Sequence, residues 1–516
     1  MRILDFTLSP QEAADPGLWQ QILCKAAQTA ETPCARILRE SIDARSRQGV
    51  RILRTVAVFA PGEQDPAAGQ TQFAYRDVHT GRPVVVVGSG PAGLFAALRL
   101  IEHGLRPVIL ERGKDVGERK KDIATLSRGL GLNAESNYCF GWGGAGTFSD
   151  GKLFTRSSKR GDTGRILARF RFHGADEKIL YQAHPHIGSD KLPDIVRHMY
   201  ATITGCGGDV VFGARVTDLR FADGRIQGVF SEKTGWISAD TVVWATGHSA
   251  HDAYEMLRRK GLALECKPFA MGVRVEHPQD LIDEIQYHRD PGMAYLPAAT
   301  YALTAQAGGR GVYSFCMCPG GFMVAAASSS EGQVVNGMSS SRRHTPYANA
   351  GIITEVREED LKDFAAEGPL AGLRYQQAVE HLAMLNGGGG QTAPAARLTD
   401  FVAGRLSGSL PENSYMPGLI PSPLHFWLPE DVSARLREGF REFDRKMHGF
   451  LTREAVVVGV ESRSSSPVRI PREAGSLQHV QVAGLYPCGE GAGYAGGITS
   501  SAMDGENVAD RIAATL

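Results

Sequence analysis

The chain has 516 residues, with 56 Lys and Arg balanced by 56 Asp and Glu, which argues against binding to nucleic acid or an anionic membrane through bulk charge. Hydrophobic residues make up 42% of it, enough to bury ordinary cores in roughly three domains of ~150 residues. Eight cysteines without a CxxC pair exclude a disulfide framework and point to reduced thiols in a cytoplasmic protein.

Residues 1–80 predict a small α/β module. Ile3, Phe6 and Leu8 mark a first strand, Trp19, Ile22, Leu23 and Ala26 recur at helical spacing, and Arg51 to Phe59 reads as a second strand. Met1 to Asp15 shows no basic run followed by an apolar stretch, so no secretory leader is expected. Pro61 to Gln72 offers almost nothing to bury and predicts a loop or linker. The near-apolar window Pro83 to Ile101 is interrupted by Gly88, Gly90, Pro91, Gly93 and Arg99, so it predicts a strand and helix and no transmembrane segment.

That window carries the strongest local signal. Val84 to Val87 predicts a strand buried on both faces. Gly88-Ser-Gly90-Pro91-Ala92-Gly93 follows at once, then a helix with Leu94, Leu98 and Ile101 on one face, then the strand Val108 to Leu110 ending in Glu111 and Arg112. This is the dinucleotide-binding βαβ pattern. The first glycine allows the tight turn, the second leaves room for a pyrophosphate, and the third permits close helix–strand packing. The helix N-terminus offers unpaired N–H groups to phosphate, and Glu111 is placed to accept hydrogen bonds from ribose hydroxyls.

Three later stretches extend the pattern. The glycine-rich run from Gly141 includes Gly143, Gly144, Ala145, Gly146, Thr147 and Lys152 and is suited to wrapping a flat ligand, or else is a surface loop. Asp240 to Trp244 predicts a strand ending in Ala245-Thr246-Gly247. Gly484 to Cys488 predicts another, leading into Gly489-Glu490-Gly491 and Gly496-Gly497-Ile498, with a closing helix to Leu516. Gly491 to Gly496 also matches GxGxxG, but too little chain follows for a second βαβ unit. On these motifs the chain resembles flavoproteins of the glutathione-reductase-like (GR2-type) superfamily over roughly residues 82–270 and 455–516. In that superfamily the βαβ unit binds FAD, an "ATG" strand follows, and a late G-[DE] segment holds the ribityl chain. Glu490 stands here for the more usual Asp.

Gly143 to Leu153, Pro185-His186-Ile187-Gly188, Phe269 to Pro278, Gly332 to Met338 and Glu461 to Arg469 are similar to a bacterial family of FAD-dependent dehydrogenases of unassigned substrate. The resemblance implies an α/β fold: a Rossmann-like FAD-binding domain built from residues 82–266 and 455–516, an inserted α+β substrate domain at 267–454, and the N-terminal module. It implies FAD as cofactor, with Val216 and Arg112 among the contacts, a small-molecule substrate, and an electron acceptor or NAD(P)H as transient reductant.

In the middle segment Phe269 to Val275 and Phe322 to Ala327 predict strands, and Glu359 to Glu367, Gly372 to Leu385 and Pro429 to His448 predict helices. Glu461 and Arg463, in a Ser-rich stretch, are candidate catalytic groups that could grip an anionic or carbonyl substrate, or else form a surface salt bridge. Arg274, Glu276 and His277 end a predicted strand and either reach the pocket, with His277 a candidate catalytic group, or pair at the surface, and His184 and His186 beside Pro185 are either a catalytic base or plain loop residues. Cys316 and Cys318 should face opposite sides of a strand, which disfavours a bond between them. Cys488 is either a redox thiol or a small buried hydrophobe. No metal-ligand spacing is present, so no metal is expected. The expected function is FAD-dependent oxidoreduction. A quinone- or carrier-linked dehydrogenase, a flavin-binding RNA-modifying protein and a non-catalytic flavin module are the alternatives.

Overall fold

The computed structural model describes residues 1–60, 63, 65, 73–155 and 160–516. The predicted linker Pro61 to Gln72 lies almost wholly outside the described residues. The N-terminal module is a three-stranded antiparallel sheet with Arg51–Val58 between Arg2–Leu8 and Ala35–Asp43, and the helix Pro16–Ala27 supplies Leu23 to a core of Phe6, Leu8, Ile52, Val56 and Val58. Ala35–Asp43 has no prediction behind it. Its residues are only half-buried, so the alternation that marks a one-sided strand is blurred.

The dinucleotide-type unit forms a five-stranded parallel sheet in the order Leu485–Pro487, Val242–Trp244, Pro83–Val87, Arg106–Glu111, Asp209–Phe212. Chain segments hundreds of residues apart are thus neighbours, as the discontinuous layout implies. The helices Pro91–Glu102 and Ile498–Thr515 lie against this sheet and share one core with Val84, Val86, Ile109 and Val243. Parallel strands must be covered on both faces, which is why Val84–Val87 has no polar residue.

A second, seven-stranded sheet runs Thr304–Ala307, Arg310–Cys318, Tyr347–Val356, Phe269–Pro278, Val456–Glu461, Ala393–Arg397, Leu419–Pro421. The amphipathic helix Glu430–Lys446 packs Phe440 and Phe443 into its core. Two corrections follow. The boundary at residue 455 is too early: Val456–Glu461 pairs with Phe269–Pro278 and Ala393–Arg397, and the chain rejoins the first sheet at Leu485–Pro487. An apolar strand fits either sheet, so only register assigns it. The predicted helix Glu359 to Glu367 is a pair of short 3-10 segments, ended by Gly368 in a left-handed conformation before Pro369. Among the described residues no helix is long and apolar enough to cross a membrane.

Candidate functional site

The turn after Pro83–Val87 is shaped by close backbone approach. Gly88 has φ +98°, and a Cβ on it would stand 2.5 Å from the Ala245 carbonyl oxygen. A Cβ on Gly93 would stand 1.9 Å from the Gly88 carbonyl oxygen, so only glycine lets the helix begin here. Gly90 is the N-cap of Pro91–Glu102 and has no side chain to satisfy the first N–H groups, which leaves them and the positive end of the helix dipole for a ligand.

Glu111 organises this turn. One carboxylate oxygen accepts from the Ser89 amide (3.0 Å) and hydroxyl (2.5 Å), the other from the amides of Gly113 (2.8 Å) and Gly141 (3.0 Å). All four acceptor positions are therefore engaged by the protein; the ribose role expected of Glu111 requires the rotatable Ser89 hydroxyl to give way. Arg119 holds the glycine-rich loop from behind. Its buried guanidinium donates to the carbonyls of Asn137, Tyr138, Gly141, Trp142 and Gly144. Burial pulls its pKa down to about 10, partly opposed by Glu111. Arg119 sits in a run of charged residues and reads as exposed. The signal was its spacing from Val116, Ile123 and Leu126, the buried face of one helix.

The second glycine segment meets the first across a cavity of about 480 Å³. Gly88, Gly90, Pro91, Ala92, Glu111 and Arg112 line one side, and Gly144, Ala145, Gly146 and Lys152 line the next. Val216, Ala245, Thr246 and Gly247 form the floor, and Glu490, Gly496, Gly497 and Ile498 close the ring. Five predicted residues are not on the wall. Gly93 is buried in the helix–strand contact, and Gly143 supports the loop behind Gly144. Thr147 donates its hydroxyl to the Trp142 carbonyl, while the Gly489 amide donates to Asp504, which also binds Arg472 through both carboxylate oxygens. The fifth, His277, is fully buried and bonded to Phe450.

The cavity suits a flat, phosphate-bearing cofactor. The Thr246 hydroxyl oxygen is buried without a hydrogen-bond partner. A Cβ on Gly247, Gly496 or Gly497 would meet nothing within 4 Å, and one on Gly90 would meet only Gly144 Cα at 3.9 Å, so side chains there would occupy space the backbone leaves open. Two helix N-termini, at Pro91 and Ile498, bring partial positive charge to the same cavity.

The candidate catalytic groups fare differently. Arg463 reaches the wall, but its Nε and Nη2 hold both Glu380 oxygens (3.0 and 2.9 Å), and its Nη1 donates to Ser328. Burial opposes ionisation of Glu380, yet the guanidinium outweighs it and holds the carboxyl below its usual range. Arg463 is neither a surface residue nor a free cation. Glu461 is likewise paired, accepting from Arg274 Nε at 2.8 Å with both side chains almost wholly buried. His277 is displaced by strand parity. Arg274 points toward the cavity side, so His277 points the other way, donating through Nε2 to the Phe450 carbonyl at 2.8 Å. Burial lowers its pKa to about 4, so it is neutral at pH 7.

The expectation that Cys316 and Cys318 face opposite sides is corrected, since residues two apart on a strand share a face. The φ of Cys316 is +46°, and the ladder to Tyr347–Val356 shifts between Phe315 and Cys318. Within this bulge both thiols lie at Lys152 Nζ, at 3.7 and 3.5 Å. Cys488 is buried at the cavity wall, and burial raises its pKa.

Comparison with known proteins agrees with this geometry. Residues 83–124 match an FAD binding domain, residues 268–464 match the family described as FAD-dependent protein, C-terminal domain-like, and residues 1–59 match a domain of unknown function. A Clostridium beijerinckii protein described as uncharacterized is 38% identical over 532 residues, covering 99% of this chain and 98% of its own. The chain belongs to that protein's family. Among solved structures, the chain is similar to CtdE in complex with FAD at 12% identity, with a TM-score of 0.34 over 84% of each chain. A geranylgeranyl bacteriochlorophyll reductase-like protein from Thermoplasma acidophilum is 13% identical, with a TM-score of 0.34 over 84% of this chain and 79% of its own.

Proposed function

We propose that the protein is an FAD-dependent dehydrogenase that moves hydride or electrons between bound flavin and a small organic substrate. The observation that carries this is the convergence of two helix N-termini and two glycine loops on one cavity containing the unpartnered Thr246 hydroxyl. In this reading the amides after Gly90, with Gly144 to Gly146, hold the pyrophosphate. Ser89, Glu111 and Arg112 address the ribose, and the N-terminus of Ile498–Thr515 faces the pyrimidine edge of the ring, where it stabilises negative charge. Bound flavin supplies two-electron redox chemistry, while the chain supplies position, charge and exclusion of water.

The substrate enters on the side built by the seven-stranded sheet and the two-stranded antiparallel sheet Gly321–Ala325/Val335–Ser339, where Phe315, Cys316, Asn336 and Met338 line the wall. NAD(P)H reduces the flavin by transient docking, since the chain has one dinucleotide unit. The test is anaerobic mixing of the yellow holoprotein with NADH, NADPH and a metabolite set, read as bleaching of flavin absorption. Bleaching by a nicotinamide supports the proposal. Bleaching only by a metabolite moves the assignment to a carrier- or quinone-linked dehydrogenase, and a colourless protein that cannot be reconstituted ends the flavin reading.

A further inference from the structure

The bulge at Cys316 lies within a closely spaced pair of thiols. Residues two apart on an extended strand have Cα atoms separated by up to roughly 7 Å, at the outer limit for a disulfide. Cys316 has a left-handed backbone, and both sulfurs lie within 3.7 Å of a single ammonium, Lys152 Nζ. Cys318 Sγ folds back to 3.3 Å from the Cys316 carbonyl. Cys316 lines the same cavity as Gly90, Ala145 and Ile498, whereas Cys318 is buried behind it.

We propose that Cys316 and Cys318 are a redox-active dithiol that exchanges two electrons with the flavin; this rests on the FAD reading above. In the forward direction two S–H bonds are lost and one S–S bond forms. Two protons and two electrons leave the pair. Oxidised flavin accepts both electrons with one or two of the protons, and any remaining proton goes to solvent. In reverse, reduced flavin returns the electrons to the disulfide and the thiols are re-formed.

The surroundings divide the work between the sulfurs. A hydrogen bond from Cys318 is the main influence holding the Cys316 thiol well below its usual pKa; burial opposes this, and Lys152 and Arg274 add to it. Cys316, on the cavity wall, is therefore the thiol placed to face the flavin, and Cys318 the partner that closes the bond. Asp150 stands across Lys152 at 3.0 Å and also pairs with Arg343, while Glu461 neutralises Arg274. Lys152 is thus the cation placed directly on the sulfurs. Cys139 and Cys488 also line the cavity; the Cys139 thiol donates to the Ala326 carbonyl, and burial raises the Cys488 pKa.

The test uses the full-length holoprotein, oxidised and then freed of oxidant. It is titrated anaerobically with dithionite, followed by flavin absorption, with samples quenched in acid, denatured and alkylated for peptide mass analysis. The expected result is that wild type consumes four electrons per flavin, while Cys316→Ser and Cys318→Ser consume two, because a disulfide is a two-electron couple. The peptide containing both cysteines should change from cross-linked to doubly alkylated during the titration, while Cys139 and Cys488 are alkylated throughout. Wild type taking up two electrons, or this peptide doubly alkylated in the oxidised protein, overturns the proposal without touching FAD binding. A cross-link that persists after the flavin is fully reduced overturns the exchange. The wild-type peptide map decides even if the serine variants fold poorly. If no flavin is bound, the FAD reading and the exchange both fall, while the same map still reports whether the thiols oxidise.

Discussion

Gly505, in the C-terminal helix, lies so close to Ala92, in the first turn of the glycine-loop helix, that a Cβ on it would stand 2.1 Å from the Ala92 carbonyl oxygen. This contact sets two helices from opposite ends of the chain side by side, with both N-termini on one cavity. Gly505→Ala should therefore part the helices. The expected outcome is a loss of about 1–3 kcal/mol in stability and of most flavin retention, measured by urea denaturation and bound-flavin absorption. Gly475→Ala, where a Cβ meets nothing within 4 Å, should change neither measurably.

Gly90→Val tests the same cavity in the opposite sense. A Cβ at Gly90 meets only Gly144 Cα at 3.9 Å, so the apoprotein tolerates it, but the branched side chain fills the space before the helix N-terminus. Flavin content should fall at least tenfold while the apoprotein melting temperature stays close to wild type. A variant with full flavin occupancy would remove the pyrophosphate from this position.

Arg463→Ala separates catalysis from support. Taken as a free cation, Arg463 would affect turnover more than flavin content. In the structure its loss strands Glu380, which keeps only the Ser462 hydroxyl from that segment. Removing one partner of a buried pair costs about 3–5 kcal/mol. Stability, flavin content and activity should therefore fall together, and Arg463→Ala with Glu380→Met should recover part of the stability in a double-mutant cycle.

His277 predicts a pH dependence. Its pKa is about 4 in the folded protein, against an ordinary value of 6.5. Between these values the unfolded chain binds a proton that the folded chain does not, so stability falls as pH drops through 6.5 and the loss is complete below about 4. At pH 5 this one group costs roughly 2 kcal/mol. His173 and His251 are shifted the same way, chiefly by burial. Denaturation midpoints should fall between pH 7 and pH 5, with a shallower slope in His277→Gln, which retains a donor for the Phe450 carbonyl. An unchanged slope would contradict a neutral buried His277.

The dinucleotide unit was legible because its determinants are local. Strand, glycine turn, amphipathic helix and acidic strand end follow one another within about thirty residues, and the strand Pro83–Val87, helix Pro91–Glu102 and strand Arg106–Glu111 form in that order. The later glycine loops were legible as loops, since runs such as Gly143 to Gly146 and Gly496-Gly497 build no helix or strand interior. What only the tertiary structure decided is where side chains point and which charges meet. Cys316 and Cys318 meet Lys152 from a segment more than 160 residues away, and strand parity turned His277 away from the cavity. Arg463 and Glu380 are separated by 83 residues, and nothing local marks them as partners. Backbone turns are governed by neighbouring residues, but burial, ion pairing and register depend on segments that become neighbours only when the two sheets assemble.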